Sequence, residues 1–273
     1  GELQGRGRLL REAQGSVPLS DPLLRRVSVR VAAERAEEAR ALLIELFPEG
    51  FEEVALDGGI EFAAYTKAGG EERLWQVFGP GAATDVEAGW GEAWKRFHRP
   101  VRIDRLWVGP PWEEPDEGLI PVFVDPGQAF GTGAHPTTQL CLRFLLAHDP
   151  VSLLDLGCGS GVLSIAAAKL GYQPVTALDL DDSAVAATRT NAEANRVQLT
   201  VARRDVLSDP LPLAHLALAN IASEPLSEVA GRIEAAELVA SGYLVSEEPE
   251  LGGWKLEERK ELQGWAADRF SRA

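Results

Sequence analysis

Leu154-Asp155-Leu156-Gly157-Cys158-Gly159-Ser160-Gly161 is the stretch on which the fold turns. It closes the apolar run 151–156 and opens the Ala-rich run 161–170, so it reads as a turn from a buried strand into a helix. Glycine at every second position permits backbone conformations closed to other residues and lets a ligand lie against the main chain. The spacing is Gly-x-Gly-x-Gly. It is neither the Gly-x-Gly-x-x-Gly of dinucleotide folds nor the Gly-x-x-x-x-Gly-Lys of phosphate loops, so phosphate cradling is unsupported. Asp155, two residues before the first glycine, is placed to accept a hydrogen bond from a cationic amine.

Towards the C-terminus the chain alternates. Strands are expected at 174–178, 197–202, 213–219 and 243–246, and helices at 183–195 and 224–239. This alternation predicts a parallel sheet with helices on both faces. Asp179 ends the second strand, about 20 residues past Gly157, where a carboxylate takes both hydroxyls of a ribose. Asp181 and Asp182 either compete for that role or cap the next helix, because Asp is favoured at helix starts. Asp205 either meets an adenine amino group or is a solvated loop aspartate. Two links are short. Residues 203–212 leave little room for a helix. Residues 247–253 fall below the dozen or so that a parallel crossover needs, so 254–262 is expected to run antiparallel to its neighbour.

Towards the N-terminus, 101–108 and 120–125 read as strands. Trp90, Trp94 and Phe97 share one face of a linker helix at 85–98. That face is either a packing stripe or a base-stacking platform, and the acidic balance argues against the second. Further back, Val27, Val29 and Val31 alternate like a strand, 32–47 carries apolar residues at helical spacing, and 51–56 and 60–65 flank the hairpin signal Asp57-Gly58-Gly59. With a helix at 71–78, this is the front of a split-βαβ module. Four segments are expected: a tail at 1–22, a small α+β (ferredoxin-like) domain at 23–84, the linker helix at 85–98 and the α/β domain at 99–273.

The chain has 273 residues, 45% hydrophobic and 25% charged, which is ordinary for a globular protein with a sizeable core. No apolar run is long enough to span a bilayer and no signal layout opens the chain, so cytoplasmic residence is expected. Cys141 and Cys158 are the only cysteines; they make neither a disulfide framework nor a four-ligand zinc site, and no metal is expected. Lys and Arg number 27 against 42 Asp and Glu, a net charge of −15. A surplus of anions disfavours direct nucleic-acid binding. It either suits a basic partner or serves solubility.

The glycine loop and strand order resemble the class I S-adenosylmethionine-dependent methyltransferases. Two more motifs narrow the resemblance. One is Asp125-Pro126-Gly127-Gln128-Ala129-Phe130-Gly131-Thr132-Gly133-Ala134-His135-Pro136-Thr137-Thr138; the other is Ala219-Asn220-Ile221-Ala222 with Pro225-Leu226 after it. With Trp90, Trp94, His98 and Pro100 they closely resemble the PrmA family, whose members methylate lysines and the N-terminal amine of large-subunit ribosomal protein eleven. The resemblance is tight from Trp90 to Leu226 and weak in the N-terminal module.

The resemblance implies a Rossmann-like sheet, the cofactor S-adenosyl-L-methionine and a ribosomal protein substrate, with the chain acting as a monomer away from membranes. Thr138, Gly157, Asp179 and Asn220 match cofactor-binding positions, Gly159 lies in the same loop, and Phe130 matches an aromatic that closes over the cofactor. Asn220 is the expected catalytic residue: its side-chain oxygen and the backbone carbonyl that follows can accept N–H bonds from a substrate amine. His135 is read as structural, Cys158 as a small residue beside the ligand and Cys141 as core. The N-terminal module is expected to grip the protein substrate. Two other readings use the same scaffold: a methyltransferase for another protein or a small molecule, and a silent binding module. A nicotinamide dehydrogenase fails on the glycine spacing.

Overall fold

The computed structural model describes residues 25–32, 51–56, 58–66, 70–85, 99–125 and 133–273, with 35, 36, 39, 42, 43, 46 and 47. The expected tail, half of the helix at 32–47, the linker residues Trp90, Trp94, Phe97 and His98, and Phe130 lie outside them.

The alternating valines form β1 (Arg25–Val31) and bury Val27, Val29 and Val31. β2 (Phe51–Leu56) and β3 (Gly59–Thr66) pair as the expected hairpin, with Gly58 at φ 84° in the turn. Helix α1 (Gly70–Phe78) buries Leu74, and β4 (Ala82–Asp85) returns beside β1. All pairings are antiparallel, in the order β2-β3-β1-β4. This sheet has its own core, in which Val27, Val29, Leu43, Phe62 and Leu74 meet.

Residues 101–108 are not one strand. Asp104, at φ 49°, turns the chain between β5 (Val101–Ile103) and β6 (Leu106–Gly109), which pair antiparallel. Asp tolerates that left-handed conformation where most side chains do not. β7 (Ile120–Phe123) then pairs parallel with β6.

Helix α2 (Pro136–Ala147) leads into the main sheet: β8 (Leu153–Leu156), α3 (Val162–Lys169), β9 (Val175–Asp179), α4 (Asp182–Asn195), β10 (Thr200–Arg203) and β11 (Leu216–Asn220). Helix α5 (Ser223–Val229) and a 3-10 turn (Ala230–Arg232) precede β12 (Glu237–Leu244), β13 (Trp254–Leu262) and β14 (Trp265–Arg272). The order is β10-β9-β8-β11-β12-β14-β13, parallel from β10 to β12. Leu153 and Leu154 enter separate cores on opposite faces, as the pleat requires. The faces are covered unequally. α2, α3, α4 and the three-stranded sheet supply one core, whereas α5 and the residues around it supply the other.

Three expectations need correction. The helix expected at 224–239 stops at Val229, and the fifth strand is Glu237–Leu244 rather than 243–246. Local propensity favours a helix through the Ala-rich stretch, but parallel pairing of Leu216–Asn220 with Glu237–Ser241 overrides it. The third concerns β13. It pairs antiparallel with β14, as expected, yet β14 lies between it and β12 and is antiparallel to both. β13 therefore runs parallel to the central strands. Residues 245–253 reach it without a helix because extended chain covers about 3.3 Å per residue, enough to retrace one strand. Among the described residues no helix is long and apolar enough to cross a membrane.

Candidate functional site

Chain connections leave β8 towards β9 on one side, while β11 flanks it on the other. That reversal is a topological switch point, where open parallel sheets bind ligands outside the carboxyl ends of their strands. The glycine loop follows β8 and Asn220 ends β11, so the glycine loop and the Asn220-Ile221 motif flank the crevice.

The loop is shaped by its glycines. Gly157, Gly159 and Gly161 have φ of 77°, 54° and 81°, left-handed values that side chains disfavour. The Gly157 and Cys158 amides donate to the Leu178 carbonyl at 2.8 and 3.0 Å, fastening the loop to β9. From behind, the Thr188 hydroxyl donates to the Gly159 carbonyl at 2.9 Å, and Asn191 Nδ2 donates to the Ser160 carbonyl at 2.9 Å. A Cβ on Gly161 would stand 2.8 Å from Thr188 Cγ2, so α4 packs against bare backbone there.

Asp179 is oriented by the same loop. Its Oδ2 accepts from the Gly159 amide at 2.9 Å and its Oδ1 from the Asp181 amide at 3.0 Å. Each oxygen keeps a further lone pair, as a pair of ribose hydroxyls requires. Asp181 is the N-cap of α4, with its carboxylate taken by the Ser183 amide and hydroxyl, both at 2.8 Å. These two bonds hold its pKa below the usual carboxylate range. Asp182 is exposed and lies 3.5 Å from Arg203. Asp205 caps its own turn, accepting from the Leu207 amide at 2.9 Å and the Ser208 hydroxyl at 2.8 Å, and those bonds lower its pKa.

Across the crevice, Asn220 Nδ2 donates to Thr138 Oγ1 at 3.4 Å. Thr138 is buried in the first turn of α2, a helix started by Pro136 and capped by His135, whose Nδ1 accepts from the Thr137 amide at 3.3 Å. His135 packs edge-on against Trp265, and burial brings its pKa down to about 4. It is neutral at pH 7. Both cysteines are buried free thiols. Burial, then the Asp155 charge, pushes Cys158 up to about 12, which leaves no thiolate for nucleophilic work. Asp155 faces α3 rather than the crevice: its Oδ2 accepts the Ser164 hydroxyl at 2.5 Å.

Several contributors escape the sequence reading. Leu180, which follows Asp179 at the end of β9, is 58% exposed. Asn191 spans two parts of the site: besides Ser160 it receives the Asp125 amide on Oδ1 at 3.1 Å. Its signal was a buried-polar pattern, Asn191 and Asn195 one turn apart in an Ala-rich helix. Gly242, in β12, touches the backbone that follows Asn220. A lone glycine inside an apolar strand is the corresponding sequence cue.

A 3-2-1-4-5 parallel core, a sixth strand paired outside an antiparallel seventh, and a glycine loop at the switch point define the Rossmann-like fold of class I methyltransferases. The family described as "Ribosomal protein L11 methyltransferase (PrmA)" matches residues 63–270. The chain belongs to that family. It is 42% identical over 178 residues to a ribosomal protein L11 methyltransferase of Legionella pneumophila (strain Lens), covering 61% of each chain. One from Shewanella halifaxensis (strain HAW-EB4) is 41% identical over 176 residues, with 59% of this chain and 58% of that relative covered. The chain thus matches less than two thirds of these relatives' length. The crystal structure of a ribosomal protein L11 methylase from Lactobacillus delbrueckii subsp. bulgaricus superposes with a TM-score of 0.58 at 26% identity, over 64% of this chain and 99% of that one.

Proposed function

We propose that the protein is an S-adenosyl-L-methionine-dependent N-methyltransferase that modifies lysine and N-terminal amines of ribosomal protein L11 in the cytoplasm. The observation that carries this reading is the contact between the two sides of the crevice: Ile221, next to Asn220, places its Cγ2 2.7 Å from where a Cβ on Gly157 of the glycine loop would stand. A donor on the loop and an amine on Asn220 are then neighbours.

The residues present fit the cofactor. Asp179, held by the Gly159 amide, takes the ribose; Leu180 gives the adenine an apolar face; Thr138 and the loop backbone line the rest. Phe130 completes this assignment by family resemblance, and Asp205 by its place just after β10. The cofactor supplies a methyl carbon activated by a sulfonium. The chain's share is alignment and exclusion of water. With its Nδ2 on Thr138, Asn220 turns Oδ1 to accept an N–H from the amine, as does the backbone carbonyl beyond it. The amine must be neutral to attack, and lysine normally titrates near pH 10.4. Desolvation and a neighbouring cation both lower that value, so no strong base is required. Neutral His135 and protonated Cys158 stay outside the reaction.

Intact-mass spectrometry tests this reading. The chain is incubated with S-adenosylmethionine and unmethylated large-subunit proteins. Methyl-mass steps confined to L11 are expected, and Asn220→Ala should cut their rate about 100-fold, a larger loss than that in cofactor affinity. No step on any protein, with cofactor binding measured, would overturn it.

A further inference from the structure

Ile221 follows Asn220 where the chain leaves β11, and it is wedged between two glycines. Its Cγ2 lies 2.7 Å from where a Cβ would stand on Gly157. Its carbonyl oxygen, carbonyl carbon and amide nitrogen lie 2.2, 2.6 and 3.0 Å from where a Cβ would stand on Gly242. Carbon–oxygen contacts normally begin at about 3.3 Å, so the fit at Gly242 exists only because the side chain is missing. Gly242 also has φ 109° and sits where the pairing of β12 with β14 shifts register between Ser241 and Tyr243. Bulges of this kind re-aim a strand beside a site.

A second tie acts on the same loop. Glu247 accepts the Ser223 hydroxyl on one oxygen and the Leu244 amide on the other, both at 2.7 Å. Neither tie is needed to join the strands, because β11 and β12 are already paired from Leu216–Glu237 through Asn220–Ser241. Both contacts come after that ladder ends and bear on residues 221–223.

We propose that Ile221 is a positioning residue: held between Gly157 and Gly242, it sets the separation between the donor loop and the amine-orienting Asn220. This rests on the methyltransferase reading above. The side chain of Ile221 gauges the distance to the cofactor loop, and the bulge at Gly242 gauges the distance to β12. Packing on Ile221 thereby bears on Asn220 from both sides.

An alanine at Gly242 must push the Ile221 peptide by about 1 Å to restore a normal contact, and a shift of that size costs alignment-dependent chemistry about 100-fold. The test uses the full chain with S-adenosylmethionine and L11. It measures cofactor Kd by calorimetry and kcat and KM for methyl transfer. Gly242→Ala should lower kcat about 100-fold, with Kd and KM within about threefold of the parent. Ile221→Ala adds no atoms, so it carries the test if Gly242→Ala fails to fold; it should lower kcat about tenfold, and Ile221→Val, which keeps the branched methyl, should restore it. If the parent transfers no methyl group, the methyltransferase reading falls and the spacer role with it. If the parent turns over and Ile221→Ala keeps its kcat, or loses kcat only in step with cofactor affinity, the spacer role is overturned and the reading stands.

Discussion

At the scale of single residues, Asp155 links the site to pH. It is buried at the root of the glycine loop, and desolvation pushes its pKa up to about 6. An unfolded Asp titrates near 3.9. A raised carboxyl pKa means that the folded chain holds the proton more tightly than the unfolded one. The stabilising contribution is therefore complete below about pH 4 and lost as the pH rises through 6. Roughly two pKa units correspond to about 3 kcal/mol. Asp155→Asn keeps an acceptor for the Ser164 hydroxyl and removes the charge. Denaturant titrations from pH 4 to pH 7 should show the parent losing about 3 kcal/mol relative to the variant. Parallel curves for the two proteins would show that Asp155 does not titrate in this window. The same residue marks a limit of sequence reading. Its place before the first glycine suggested an amine partner, but side-chain direction depends on the strand's pleat, which turns it towards α3.

At the scale of elements, the positions of the glycine loop and Asp179 were legible because each lies within a few residues of a strand end in the sequence, and that of Asn220 because of the family motif around it. Gly242, Glu247 and Asn191 were not. Their partners Ile221, Ser223 and Asp125 are brought to them by sheet pairing and helix docking, which no local pattern encodes. The β13–β14 hairpin shows the same limit. Only 254–262 was read from the sequence, and on link length; 265–272 was not read as a strand, and the hairpin's place depends on a buried ion pair. Asp268 is 1% exposed and receives Arg259 Nε and Nη2 at 2.8 Å each, with the Tyr243 hydroxyl at 2.9 Å. Arg259 Nη2 also donates to the Glu247 carbonyl at 3.0 Å. Arg259→Met keeps the aliphatic bulk and leaves Asp268 charged and buried, which costs about 3–5 kcal/mol when a buried pair is broken. Adding Asp268→Asn to it removes the orphaned charge and should recover about half of that loss. Thermal melts of the three variants check this. Additive losses would show that the two side chains stabilise the hairpin independently.

At the scale of the whole molecule, the fold class was legible because strand and helix periods alternate from 151 to 203. The small sheet was legible in its valine alternation and its Gly58 turn. What the small sheet does is a matter of how the cores are divided. Its residues Val27, Val29, Phe62 and Leu74 form a cluster that shares no member with the two cores of the large sheet. Every described residue assigned to cofactor or amine lies between Thr138 and Asn220. On the assignment proposed above, methyl transfer to a small amine needs nothing from residues 23–84, whereas capture of a protein substrate needs surface beyond the crevice. Removing 23–84 should leave cofactor affinity within a few-fold of the parent and abolish methylation of L11, because binding energy from remote contacts holds the reacting amine in place. Calorimetry and intact-mass spectrometry on the same truncated chain separate the two effects. Retained methylation of L11 would mean that recognition resides in the large sheet, and lost cofactor binding would mean that the small sheet supports the crevice itself.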